Sequence, residues 1–202
     1  MDLFLIGHDY KYAVEQSLLT LYPGEKPVYP DAPGALPYIE VRQSTGKQYT
    51  TITTRIHLET GVFTGSARVQ TELLTDDKLI RNRHMQRVIR QSFYRAAMAT
   101  GMPHPQWGAL TGVRPAKLMT KLLRQGKTDR QAKAAFQKTY FTSPERTELC
   151  LDGAHYSMAA EDSLSEKDVC LYVGIPFCPT RCAYCSFVSQ SVEKSMKLIQ
   201  PF

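Results

Sequence analysis

Long apolar runs are missing from this chain. Of its 202 residues 43% are hydrophobic, but the longest purely apolar stretches are of the Leu3-Phe4-Leu5-Ile6 kind. A bilayer-crossing helix needs roughly 20 such residues in succession, so no transmembrane helix is available and no membrane partner is expected. The N-terminus has an acid, Asp2, where a secretory signal has its basic region, and no apolar stretch of useful length follows. A cytoplasmic protein is expected. Cysteine is scarce and odd in number, five residues, three of which crowd between 178 and 185. That distribution argues against a disulfide framework and suits a thiolate-rich metal site in a reducing compartment. Neither a charge excess nor an apolar deficit marks the chain as disordered, and no repeat or low-complexity tract is visible.

Acid is nearly absent from the middle. Over residues 78–138 there are fourteen Lys or Arg and one acid, Asp129, a net of +13; the rest carries eleven bases and eighteen acids, a net of −7. Residues 1–76 read as an α+β unit: a strand over 3–6, a helix over 12–21, and strands over 38–42, 49–57 and 62–72 separated by turn signals, most simply an antiparallel meander. From Asp76 the period turns helical. Met85, Val88, Ile89, Phe93, Ala96 and Ala97 share one face, and Arg83, Arg87, Arg90 and Tyr94 fall on another. A second helix opens at Pro115, with Lys117, Lys121 and Arg124 outward, and ends at Gly126. Thr128 and Gln131 have capping-box spacing for a third, and Ser143-Pro144-Glu145 starts a fourth.

After an acidic stretch over 160–168 comes Val169-Cys170-Leu171-Tyr172-Val173-Gly174-Ile175, a continuous apolar run of the kind expected for a strand buried on both faces. It leads into Cys178-x3-Cys182-x2-Cys185. Three sulfurs within eight residues can converge on one small inorganic object, and a set of three leaves a coordination position open, because iron–sulfur cubes and structural zinc usually take four ligands. Zinc completed by Cys150, Cys170 or His155 is one alternative, although the paired spacings of zinc modules are absent. Incidental cysteines and a redox pair at Cys182 and Cys185 are two others.

The run from Tyr172 through Ile175-Pro176-Phe177-Cys178 to Cys182-Ala183-Tyr184-Cys185 resembles the cluster loop of radical S-adenosylmethionine (SAM) enzymes. Within them it is similar to the oxygen-independent coproporphyrinogen III oxidase (dehydrogenase) branch. The resemblance covers residues 169–190 and implies a [4Fe–4S] cluster on Cys178, Cys182 and Cys185, with SAM on the open iron. It places Tyr172 beside SAM at the cluster and Tyr184 along the adenine. It also implies a one-electron reductant, cleavage of SAM to a 5′-deoxyadenosyl radical, and oxidative decarboxylation of coproporphyrinogen propionates to vinyl groups in porphyrin and haem biosynthesis. Gly174 stands where the branch usually has His, and Phe187 where some members have a further cysteine. Tyr172 and Tyr184 also fit ordinary packing beside a strand.

The expected architecture is an α+β accessory domain over 1–165, antiparallel strands followed by basic helices, then over 166–202 the first strand and cluster loop of a radical SAM partial (β/α) barrel. Such a barrel needs roughly 200 residues after its cluster strand. Only Ser186 to Phe202 follow here, so the chain is expected to be an N-terminal fragment, inactive alone. The basic ridges at Arg83, Arg87 and Arg90 and at Arg114, Lys117, Lys121 and Arg124 suit phosphates or carboxylates: an anionic tetrapyrrole, RNA, the acidic flanks of the same chain, or solvent alone. A radical SAM enzyme modifying tRNA, a metal-bearing RNA-binding module and a haem carrier are the competing functions. Trp107 is expected to pack a domain junction rather than stack a base.

Overall fold

Alternation at period two builds the sheet. In β3 (Tyr49–Leu58), Thr50, Ile52, Thr54 and Ile56 point into the core, while Thr51, Thr53 and Arg55 point away. This strand sits between β2 (Tyr38–Thr45) and β4 (Gly61–Gln70), antiparallel to both, with Thr54 opposite Val41 on one side and Gly65 on the other. The first strand, β1 (Asp2–Ile6), adds parallel to β2, Leu3 level with Ile39. Parallel neighbours need a crossover, and α1 (Lys11–Leu21) provides it. The meander of three strands is thus extended on one edge by a βαβ unit.

The computed structural model describes residues 1–32, 34–112, 114–180, 182, 185, 187 and 189–199. They form two compact units, Met1–Asp162 and Ser163–Phe202.

Helix α2 (Lys78–Ala99) covers the sheet of the first unit. The Asp77 carboxylate caps it, accepting from the N–H groups of Leu79 (2.7 Å) and Ile80 (3.2 Å). Its buried face, with Met85, Val88, Ile89, Phe93, Ala96 and Ala97, joins Leu18, Ile39, Ile52 and Ile56 in one core. Close approach of helix and sheet depends on Gly65, where an added Cβ would run into the backbone of Ser92 and Ala96. Within that contact the buried hydroxyls of Thr54 and Ser92 satisfy each other at 2.8 Å.

Three further helices form a second core in the same unit. Helix α3 (Pro115–Arg124) starts on Pro at its first position, after Arg114 in a left-handed conformation. Helix α4 (Asp129–Tyr140) opens with the complete Thr128/Gln131 capping box, and α5 (Pro144–Asp162) packs against both. Met119, Ala132, Phe136, Cys150, Leu151 and Ala154 are buried between them. Trp107 packs on this helical core within the unit, with the Arg146 guanidinium 5.3 Å from its ring centre.

In the second unit the two-residue strand β5 (Phe177–Cys178) pairs in parallel with β6 (Gln190–Ser191), and α6 (Val192–Ile199) follows at once. The apolar run over 169–175 does not form the buried strand expected of it. It carries no ladder, and Val169, Leu171, Tyr172, Val173 and Ile175 are exposed, Val169 at 91%. A continuously apolar strand is buried only when strands lie beside it and helices cover it. Among the described residues of this unit, β5 and β6 are the whole sheet.

Candidate functional site

The cysteine loop is tied at its root. Gln190 donates its N–H to the Pro176 carbonyl at 2.7 Å, so β5 and β6 clamp the two ends of the loop. Cys178 lies half-buried in β5, level with Ser191. Further on, the Cys185 N–H donates to the Cys182 carbonyl at 3.0 Å, an i to i+3 turn that puts these two cysteines on one tight bend. The Cys185 thiol lies 3.9 Å from the Phe187 carbonyl oxygen, within reach of a weak S–H donor. All three cysteines are free. The structure thus brings Cys182 and Cys185 together and holds Cys178 at the loop root. Among the described residues no three Cys, His, Asp or Glu side chains converge as a metal-binding group.

Of the two tyrosines singled out by the sequence, Tyr172 is 85% exposed. Its ring folds back towards Gly174, where an added Cβ would lie 3.1 Å from Cε1. Tyr184 lies outside the described residues. The cysteines proposed as completing ligands for zinc separate clearly. Cys150 is buried in the core of α3, α4 and α5, and burial pushes its thiol pKa up, the signature of an inert packing cysteine. His155 holds the Asp129 carboxylate at 3.1 Å.

The donor set suits a thiolate-held cluster. Three free thiols stand within eight residues, two already share a turn, and the third is fixed by a strand pair. Cys178, Cys182 and Cys185 are the residues that would hold it.

A second feature appears only in three dimensions. The two basic ridges read separately along the chain line one groove of about 900 Å³ in the first unit, α2 contributing Arg83, Arg87 and Arg90, α3 contributing Lys117 and Lys121, and Arg114 standing just before α3. The loop Gly108–Thr111 and Tyr140 at the end of α4 close it. That wall depends on Gly108, which sits at φ 57° so close to α4 that an added Cβ would overlap the Tyr140 and Phe141 carbonyls. Ala109 then donates its N–H to the Tyr140 carbonyl at 2.7 Å. His84, Thr111 and Tyr140, which sequence spacing did not single out as site residues, line the same groove. Burial, then the charges of Arg87 and Lys121, lower the His84 pKa, and Arg87 reaches its Nδ1 at 3.1 Å. Burial raises the Tyr140 pKa against the opposing pull of Arg87 and Arg90.

Over 90 residues the chain is 40% identical to the oxygen-independent coproporphyrinogen-III oxidase-like protein HemZ of Bacillus subtilis (strain 168), a span that is 44% of this chain and 18% of that protein. This stretch of the chain is similar to an oxygen-independent coproporphyrinogen-III oxidase-like protein. It covers less than a fifth of the length of HemZ. No protein-family model matches it, and no solved structure matches it. Among the described residues no helix is long and apolar enough to cross a membrane.

Proposed function

We propose that these residues belong to a radical SAM oxidoreductase of the coproporphyrinogen oxidase-like kind, which decarboxylates propionate side chains of an anionic tetrapyrrole. The observation that carries this reading is the set of three free cysteines, Cys178, Cys182 and Cys185, on a loop clamped by β5 and β6. The kinship with HemZ supports the substrate class. A [4Fe–4S] cluster on these thiolates would supply the electron that cleaves SAM to a 5′-deoxyadenosyl radical. A propionate would give a hydrogen atom to that radical and then lose carbon dioxide, passing one electron to an external one-electron acceptor and leaving a vinyl group.

The chain's own contribution is positional. The Cys182–Cys185 turn presents two thiolates from one bend, and the β5–β6 clamp limits where the third can move. With three protein ligands the fourth coordination position stays open, which substrate-binding metal centres require and closed structural sites lack. Gly174 puts no side chain against the Tyr172 ring, where an added Cβ would lie 3.1 Å from Cε1. An α+β accessory domain followed along the chain by a (β/α) barrel start remains the proposed architecture.

Anaerobic addition of iron, sulfide and reductant to the chain, followed by titration with SAM, tests the reading. A reduced-cluster electron paramagnetic resonance signal that shifts on SAM addition is the expected result. A colourless zinc-loaded product, or a cluster signal indifferent to SAM, contradicts it.

A further inference from the structure

The groove between α2 and α3 is independent of the cysteine loop, and its chemistry is specific. Its six cations, Arg83, Arg87, Arg90, Arg114, Lys117 and Lys121, have no carboxylate within ion-pair distance among the described residues. Three other bases of the same segment do: Arg124 meets Asp162 at 2.6 Å and Glu161 at 3.5 Å, Lys133 meets Glu148 at 2.8 Å, and Arg81 meets Asp76 at 3.3 Å. The groove is thus lined by six cations with no counter-charge among the described residues. Like charges gathered in a concave site without counter-charge raise its free energy, and a bound anion relieves that cost.

Donors inside the groove also lack partners. Arg90 is half-buried, with burial pulling its pKa down; one guanidinium nitrogen reaches Gln86 at 3.2 Å, and its buried Nε has no acceptor. The buried Thr111 hydroxyl has none either. Helix α3 begins at the groove without a side-chain cap, so the positive end of its dipole adds to the potential there.

The spacing selects the anion. At 1.5 Å rise per residue, Arg83, Arg87 and Arg90 span about 10 Å along α2, and Lys117 and Lys121 span about 6 Å along α3, with Arg114 just before its first turn. Two facing rows of three cations match a run of successive anionic groups rather than one ion, and about 900 Å³ holds a ligand of small-molecule size. Phosphate suits this better than carboxylate. Every phosphate of a run keeps at least one charge and two unbridged oxygens, repeated at short intervals along the ligand, and guanidinium forks grip each bidentately. We propose that this groove binds a run of phosphate groups, as in a nucleoside polyphosphate or the backbone of an RNA strand.

Calorimetric titration of the 202-residue chain with tripolyphosphate, ATP, a short single-stranded RNA and a benzene hexacarboxylate tests the proposal. The test variant is Arg83→Gln/Lys117→Gln; both side chains are exposed, so the fold is spared. Lys47→Gln/Arg130→Gln, also exposed but outside the groove, removes the same charge. Saturable tripolyphosphate binding is expected, weakened at least about tenfold in the test variant and little changed in the control. Tighter binding of ATP than of RNA assigns the site to a nucleotide, and the reverse assigns it to RNA, with a steep salt dependence. Absence of saturable binding, equal loss in both variants, or hexacarboxylate binding as tight as the phosphates overturns the proposal.

Discussion

Replacing Gly108 by alanine should cost about 3–4 kcal/mol of folding stability, and the structure divides that figure into parts that can be measured separately. An L side chain at φ 57° carries a left-handed penalty of about 1 kcal/mol. The added Cβ also overlaps the Tyr140 and Phe141 carbonyls, which are backbone atoms and cannot swing aside. The overlap is relieved by overpacking or by lifting the loop off α4 and losing the 2.7 Å Ala109–Tyr140 hydrogen bond, either route costing about 2–3 kcal/mol. Gly126, at φ 82° with nothing within 4 Å of an added Cβ, isolates the conformational part, so Gly126→Ala should cost about 1 kcal/mol. Urea unfolding followed by circular dichroism, with unchanged m-values, reads both. In a thermal scan the Gly108 variant should melt about 6–16 °C lower, at about 2–4 °C per kcal/mol for a chain of this size. Two variants within about 0.5 kcal/mol of each other would refute the close approach.

Thr128→Ala should lose about 1 kcal/mol by removing the side-chain half of the capping box, with Thr128→Ser restoring most of it in the same unfolding assay. His8, with Nε2 3.0 Å from the Val41 carbonyl, has its pKa lowered chiefly by burial, so the folded state binds fewer protons than the unfolded one. Stability should therefore fall as pH drops below about 6.5, flattening once the lower folded pKa is passed, and His8→Gln should remove that slope in a pH series of urea melts. His84 is held low by burial and by the cations Arg87 and Lys121, so a bound polyanion raises its pKa and takes up a proton. Tripolyphosphate should bind more tightly as pH falls below about 6.5, and the slope should be shallower in His84→Asn.

Features carried by near neighbours along the chain are legible in the residue order alone. The Thr128/Gln131 box joins residues three apart, and the Asp77–Ala99 amphipathic pattern is periodic. Features that depend on distant partners are not. Two basic ridges about thirty residues apart become one groove only because Gly108 lets its loop touch the end of α4. Parallel pairing of β1 with β2 is set by the α1 crossover, not by any local pattern in residues 2–6. The apolar run over 169–175 misleads for the same reason: composition declares that a strand would be buried if flanked, and the described residues provide no flanking strand.

The central claim is that Cys178, Cys182 and Cys185 together hold one iron–sulfur cluster. Iron and sulfide counted per chain after anaerobic reconstitution, in the native sequence and in five single Cys→Ser variants, tests it most directly. The account predicts a cluster in the native chain, lost or severely depleted in Cys178→Ser, Cys182→Ser and Cys185→Ser and retained in Cys150→Ser and Cys170→Ser. Full iron and sulfide in any of the first three, or loss through Cys150 or Cys170, would contradict it.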